Sequence, residues 1–146
     1  MAIVGVNPWT DKWYTPWLQR LLKDGRARFK LRYPDRKTSA QAENESVKSS
    51  QVGFRTQTQF FGGTQKYELV KRCLKDWEGV LSDSGEPILF DASTPQALEH
   101  SLDVIPADTF DELYYELTKN VRGLRPIIEE AQYQAREQGV EIDEAA

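Results

Sequence analysis

The sequence predicts an α+β fold: an N-terminal β hairpin or small sheet followed by a mainly α-helical C-terminal half. Three observations carry this expectation. Residues 26–34, RARFKLRYP, alternate apolar and basic side chains with period two. Residues 54–61, FRTQTQFF, alternate again and run into Gly62-Gly63, a turn signal. From Thr64 onward the apolar residues recur at helical spacing. Strand-like segments first and helical ones later is the order of an α+β chain.

The length of 146 residues suits one domain, 1–146. Within it, residues 1–63 read as an aromatic and basic segment with strands and a mobile polar insert near 35–53. Residues 64–137 read as helical, and 138–146 as a frayed acidic tail. The apolar fraction of 39% and a mean hydropathy of −0.64 are low for a well-buried globule of 16.8 kDa. A modest core with polar extensions is expected, or a protein that completes its burial against a partner. The net charge of −4 conceals a division: residues 1–75 hold 15 Lys+Arg against 6 Asp+Glu, and residues 76–146 hold 4 against 17. Such polarity bears on association, within one molecule or head to tail between copies.

Element by element, Pro8 and Pro16 punctuate the opening stretch NPWTDKWYTPWLQRLLKDG. A helix is expected from Pro16, with Trp17, Leu18, Leu21 and Leu22 at helical spacing, Thr15 as cap and Gly25 as stop. Trp9, Trp13 and Trp17 recur every four residues, read first as caps on a small core and second as an aromatic docking strip. In 26–34, Ala27, Phe29, Leu31 and Tyr33 take one face and Arg26, Arg28, Lys30 and Arg32 the other. This strand is expected to pair with 54–61 as a long hairpin, the insert forming its tip. Residues 35–53 have only Val47 and Val52 as sizeable apolar groups, too little to repay ordering.

A helix capped by Thr64 is expected to carry Tyr67, Val70, Cys73, Leu74 and Trp77 on one face and to close at Glu78-Gly79. Residues 80–90 then read as a short hairpin around Asp83-Ser84-Gly85. Thr94-Pro95 caps a helix to about Val104, with Ala97, Leu98, Ser101 and Leu102 inward and His100 outward. Pro106 and Asp108 open a further helix with a stripe of Phe110, Leu113, Tyr114, Leu117 and Val121, ended by Gly123. Pro126 restarts a last helix with Ile127, Ile128, Ala131 and Ala135 on one side.

Motifs for chemistry are sparse. One cysteine, Cys73, excludes an internal disulfide and reads as a small core residue. One histidine excludes the multi-histidine metal sites. Gly62-Gly63-Thr64-Gln65-Lys66 lacks the spacing and the Lys-Ser/Thr pair of a phosphate loop and reads as turn plus helix cap. Asp108, Asp111, Glu112 and Glu116 lie along one helix rather than converging at a loop, and read as a solvated acidic face. No catalytic, cofactor or metal site is expected, and the chain reads as no enzyme. No run approaches the roughly 18 apolar residues of a membrane span, and Met1–Val6 is too short for a signal-peptide core.

An ordered set of pieces resembles a known family. Lys75-Asp76-Trp77-Glu78-Gly79-Val80 is followed by Ser82-Asp83-Ser84-Gly85-Glu86-Pro87-Ile88-Leu89-Phe90, then by Thr94-Pro95 opening a helix. Leu98, Leu102, Ile105-Pro106 and Phe110 continue the pattern through about Val121. Over roughly residues 61–121 the chain resembles the tail assembly chaperones of long-tailed bacteriophages. The tryptophan-rich opening and the Ser/Gln/Asn-rich insert lie outside the resemblance. The resemblance implies a non-enzymatic protein of the host cytoplasm that binds the phage tape-measure protein, recruits tail-tube subunits and is absent from the finished particle.

For such a role Leu113, Tyr114, Leu117, Val121, Ile127 and Ile128 are candidates for a groove that takes a partner helix, with Trp13 and Trp17 as docking aromatics. The competing reading is that they are core. The charge division would suit stacking of copies into a homo-oligomer. Two alternatives from other classes stand beside this. One is a permanent virion protein of the tail or neck, joined to neighbours by strand addition. The other is a small nucleic-acid-binding module using Arg26, Arg28, Lys30, Arg32, Arg36 and Lys37, against which stands a pI of about 5.1.

Overall fold

The computed structural model describes residues 11–41 and 62–144. The expected strand 54–61, most of the insert, Trp9 and the last two residues of the tail lie outside the described residues. The predicted α+β architecture is present: a three-stranded antiparallel sheet built mainly from the N-terminal part, then a helical C-terminal half.

The central strand β2, Arg28–Arg32, is the one the alternation predicts: Phe29 and Leu31 are buried and its three cations face out. Its neighbours are not as expected. β1, Asp11–Tyr14, pairs along one edge, with Tyr14 opposite Phe29 and Asp11 opposite Arg32. β3, Leu74–Glu78, pairs along the other, with Trp77 opposite Phe29 and Glu78 opposite Arg28. Both edges of β2 are therefore filled, and the hairpin expected between 26–34 and 54–61 is corrected.

The helix expected to run through Trp77 also ends early. Helix α1 spans Gly62–Cys73, so it already includes Thr64, the expected cap, and the chain passes straight into β3. Leu74 and Trp77, three apart, fit a helical face, which is why the strand is hidden. A register irregularity opposite Lys30/Leu31 resolves the parity: Leu74 faces Leu31, Asp76 faces Lys30, and Lys75 is the extra residue. The bulge lets Leu74 and Trp77 both point into the core.

The N-terminal helix is shorter and tighter than expected. Trp17–Leu21 form a 3-10 turn that Pro16 precedes in extended conformation without a side-chain cap, so Thr15 does not cap it. Leu22, not Gly25, ends it. Residues 36–41 are helical, started by Asp35, whose carboxylate accepts the Thr38 N–H at 2.7 Å. Residues 80–90 fold as the tight hairpin expected, with Leu81 bridged to Pro87 and Gly85 at φ 83°.

Helix α2, Pro95–Val104, begins as read: the Thr94 hydroxyl accepts from the Ala97 N–H at 3.0 Å, and Ser101 and Leu102 are buried. Helix α3, Ala107–Leu117, buries Glu112, Leu113 and Leu117. Its stripe stops there, because Thr118 and Lys119 turn the chain, Lys119 at φ 54°. Helix α4 then runs unbroken over Val121–Gln138, starting ahead of both Gly123 and Pro126. The break expected at these two residues is absent. The Asn120 side chain accepts from the Gly123 N–H at 3.0 Å and nucleates the first turn, and Pro126, inside the helix, removes one i→i−4 donor, toward the Arg122 carbonyl, without ending it. Gly139, left-handed at φ 66°, ends it.

One cluster of buried residues joins the sheet to the helices, from Tyr14, Phe29 and Leu31 through Val70, Cys73, Leu74 and Trp77 to Leu102, Leu113 and Leu117. Helix α1 packs on α3, and α4 on α3 and the 3-10 turn. The α3–α4 crossing is close at Gly123, where an added Cβ would lie 2.5 Å from the Tyr115 ring. Overpacking of that kind costs about 1–3 kcal/mol and outweighs the ~1 kcal/mol that alanine gains over glycine in a helix. Gly123→Ala is therefore expected to lower the urea midpoint despite its better helix propensity. An unchanged or raised midpoint would contradict the close packing.

Candidate functional site

The residues singled out for partner binding separate into three groups. Leu113 and Leu117 are core, at 0% and 3% exposure, and cannot receive a partner. Tyr114 and Ile128 are half-buried, Tyr114 against that core. Val121, expected on the α3 stripe, instead begins α4 and is exposed. Ile127 is the member of the set that reaches a concave surface. Trp13 lies on the outer sheet face under the Arg28 guanidinium, 4.7 Å from its ring. Trp17 lies under Arg20 at 4.1 Å. Both rings are thus covered on one side by a cation.

The concave surface is an open groove of about 650 Å³. One wall is the 3-10 turn, with Pro16, Leu18 and Gln19, beside Ala27 and Phe29 of the sheet. A second wall is Pro126, Ile127 and Glu130 of α4. Val80 and Leu81 also line the groove, as do Val104, Ile105, Pro106, Asp108 and Thr109 around the α2–α3 junction. Leu18 and Leu81 remain 39% and 57% exposed at the rim. Gly79 lets the chain enter Val80 and Leu81: φ is 77°, and a Cβ would sit 2.5 Å from the Arg26 carbonyl oxygen. Only glycine passes there without displacing the backbone.

Glu112 also lines the groove, and sequence reasoning missed it by assigning it to a solvated acidic face. It is 5% exposed. Its Oε2 accepts from the Tyr14 hydroxyl at 2.6 Å and from the Trp17 N–H at 2.9 Å. The carboxylate thus pins the N-terminal segment to α3. Burial holds its pKa above the ordinary value, although both donors and the Arg20 charge pull the other way. Tyr14 is correspondingly pushed well up, by burial first and by the Glu112 charge second.

Arg20, 4% exposed, is the second buried charge that the reading missed. Its guanidinium rests on the Trp17 and Tyr14 rings, donates from Nε to the Thr15 carbonyl at 2.8 Å and from Nη1 to the Glu144 carbonyl at 3.0 Å. The only sequence signal was the three-residue spacing of Trp17 and Arg20, which a 3-10 turn eclipses. Glu144 and Asp143 belong to the tail expected to fray. Instead Arg20 holds the first, and Arg26 pairs with Asp143 at 2.9 Å.

The other acids of α3 are also engaged. Glu116 accepts from the Tyr33 hydroxyl at 2.7 Å, and Asp111 pairs with Lys66 at 2.7 Å. Cys73 is 1% exposed, and burial raises its thiol to about 11, so it is a packing residue. Among the described residues no group of three or more His, Cys, Asp and Glu side chains could hold a metal ion. No helix among them is long and apolar enough to cross a membrane.

The basic outer face of β2 is not a free cationic stripe. Arg32 pairs with Asp11 at 2.7 Å, Arg28 with Glu78, and Lys30 stands opposite Asp76. Each cation of the strand has an acidic cross-strand neighbour, as expected for a self-complementary sheet face. With the Arg26–Asp143 and Lys66–Asp111 pairs, part of the charge division is answered inside the molecule. The chain matches no family model, no curated protein and no solved structure.

Proposed function

We propose that this protein acts by contact alone, as a phage tail assembly chaperone that holds an apolar segment of the tape-measure protein in its groove during tail morphogenesis. The observation that supports this reading best is the groove itself. It is open and lined largely by aliphatic side chains, and it leaves Leu18 and Leu81 uncovered at its rim. A helix-in-groove mode takes that geometry. A tape-measure protein, long and helical, presents apolar stripes until the tail tube encloses it, so its chaperone must bind such stripes. The sequence pattern from Lys75 to Phe110 supports the same family. The acidic partners along β2 weigh against the nucleic-acid alternative, since a duplex competes with fixed carboxylates for the same cations.

Co-expression of this chain with fragments of the tape-measure protein of the same phage tests the reading. The expected result is a soluble complex that survives size-exclusion chromatography, from fragments that aggregate when expressed alone. Fragments that stay insoluble while this chain elutes by itself would overturn it.

A further inference from the structure

Among the described residues the ionisable side chains lining the groove all have one sign: Asp108 and Glu130 at the rim, Glu112 at the floor. None of the described lysines and arginines lines it, nor does the histidine. The two rim acids are exposed, and among the described residues each is held only by a neighbour on its own helix: Asp108 accepts from the Thr109 N–H and Glu130 from the Gln134 amide, both at 2.9 Å. Glu112 is fixed: both its donors converge on Oε2, and among the described residues none donates to Oε1. A carboxylate oxygen within a largely aliphatic surface demands a donor from whatever covers it, because desolvating it unpaired costs more than the apolar contacts around it return.

We infer that the groove selects a basic amphipathic helix, one whose apolar face rests on Leu18, Leu81 and Ile127 and carries a lysine or arginine directed at Glu112. Charge complementarity chooses this occupant: an uncharged apolar helix leaves Oε1 buried without a donor, and an acidic one meets three carboxylates. The aliphatic stem of a lysine or arginine crosses the apolar wall while its head reaches the floor. This rests on the proposed chaperone role and specifies the segment that role would hold.

Two labelled peptides of equal length and apolar face test it, one with Lys and one with Glu at the same positions, titrated by fluorescence anisotropy against the full chain. The Lys peptide is expected to bind about tenfold tighter or more at low salt, the margin shrinking as salt screens the rim acids. Asp108→Asn with Glu130→Gln, both exposed and harmless to folding, is expected to remove most of the margin. Glu112→Gln, with the fold checked by circular dichroism, is expected to weaken the Lys peptide alone. Equal binding of both peptides, or a margin unchanged in all these variants, would overturn the inference. So would a drop in the protein's own mass by light scattering in a Leu81→Asp variant, which would make a second copy the occupant. Tape-measure fragments that co-purify undiminished with Leu81→Asp would refute the groove and leave the chaperone role standing. Peptide selection without any tape-measure complex would do the reverse.

Discussion

Trp77→Ala is expected to be the most damaging single truncation in the molecule, lowering stability by about 3–5 kcal/mol, the usual range for emptying a buried tryptophan site. The ring is 5% exposed and sits edge-on to Phe29 and Phe90, with centroids 6.3 and 5.2 Å away. Its indole N–H donates to the Ile88 carbonyl at 2.7 Å, so the side chain also ties β3 to the 80–90 hairpin. Trp77→Phe separates the two contributions. It retains most of the apolar volume and loses the hydrogen bond, so a loss of about 1–3 kcal/mol is expected from the carbonyl left without a donor and the smaller ring. Chemical denaturation followed by far-ultraviolet circular dichroism measures both. A Trp77→Ala loss below about 1 kcal/mol would mean that the residue is not at the junction of sheet and hairpin.

Glu112→Leu is expected to cost about 2–5 kcal/mol, because it strands two donors, the buried Tyr14 hydroxyl and the half-buried Trp17 N–H, without their acceptor. Glu112→Gln keeps an acceptor of the same shape and is expected to stay within about 1 kcal/mol of the parent at neutral pH. The pH profile discriminates further. A carboxyl whose folded-state pKa is raised is held more tightly as the acid in the native state, so stability falls as pH climbs. The fall begins near the ordinary value of 4.5 and is complete once the raised value has been passed. Asp11, Asp35 and Asp91 act with the opposite sign. Their pKa values lie below 3.8, held down by the Arg32 hydrogen bond, the Thr38 N–H and Ser93 respectively, so their contribution is present above that value and lost in acid. In Glu112→Gln the decline above pH 4.5 is expected to flatten while the acid limb persists. Superimposable profiles for parent and variant would show that Glu112 is not buried in the native state.

The parts of the fold legible from sequence are those where one physical signal acts alone. β2 is written in strict alternation with no competing pattern, and α2 in a Thr-Pro start that serves no other purpose. β3 is the counterexample. Leu74 and Trp77 continue the helical spacing of Val70 and Cys73, and only the bulge at Lys75, a property of the pairing with β2, lets them face the core from a strand. Gly123 and Pro126 read as punctuation because their local preferences say so. Their actual roles, close contact with Tyr115 and a place in the groove wall, depend on other helices. The site was the least legible part. Ile127 shows in its periodicity, but Glu112 reads as solvated because nothing in its own helix shows that Tyr14 and Trp17 will approach from nearly a hundred residues away.

The groove takes walls from distant parts of the chain, one from the 3-10 turn and one from α4. During translation the first wall leaves the ribosome long before the second is made, and Leu18 and Phe29 wait meanwhile without their covering neighbours. The groove is therefore completed late, once Pro126 and Ile127 have emerged and docked. A chain stalled short of α4 would lack that wall of the groove and the packing of α4 on α3 and the 3-10 turn.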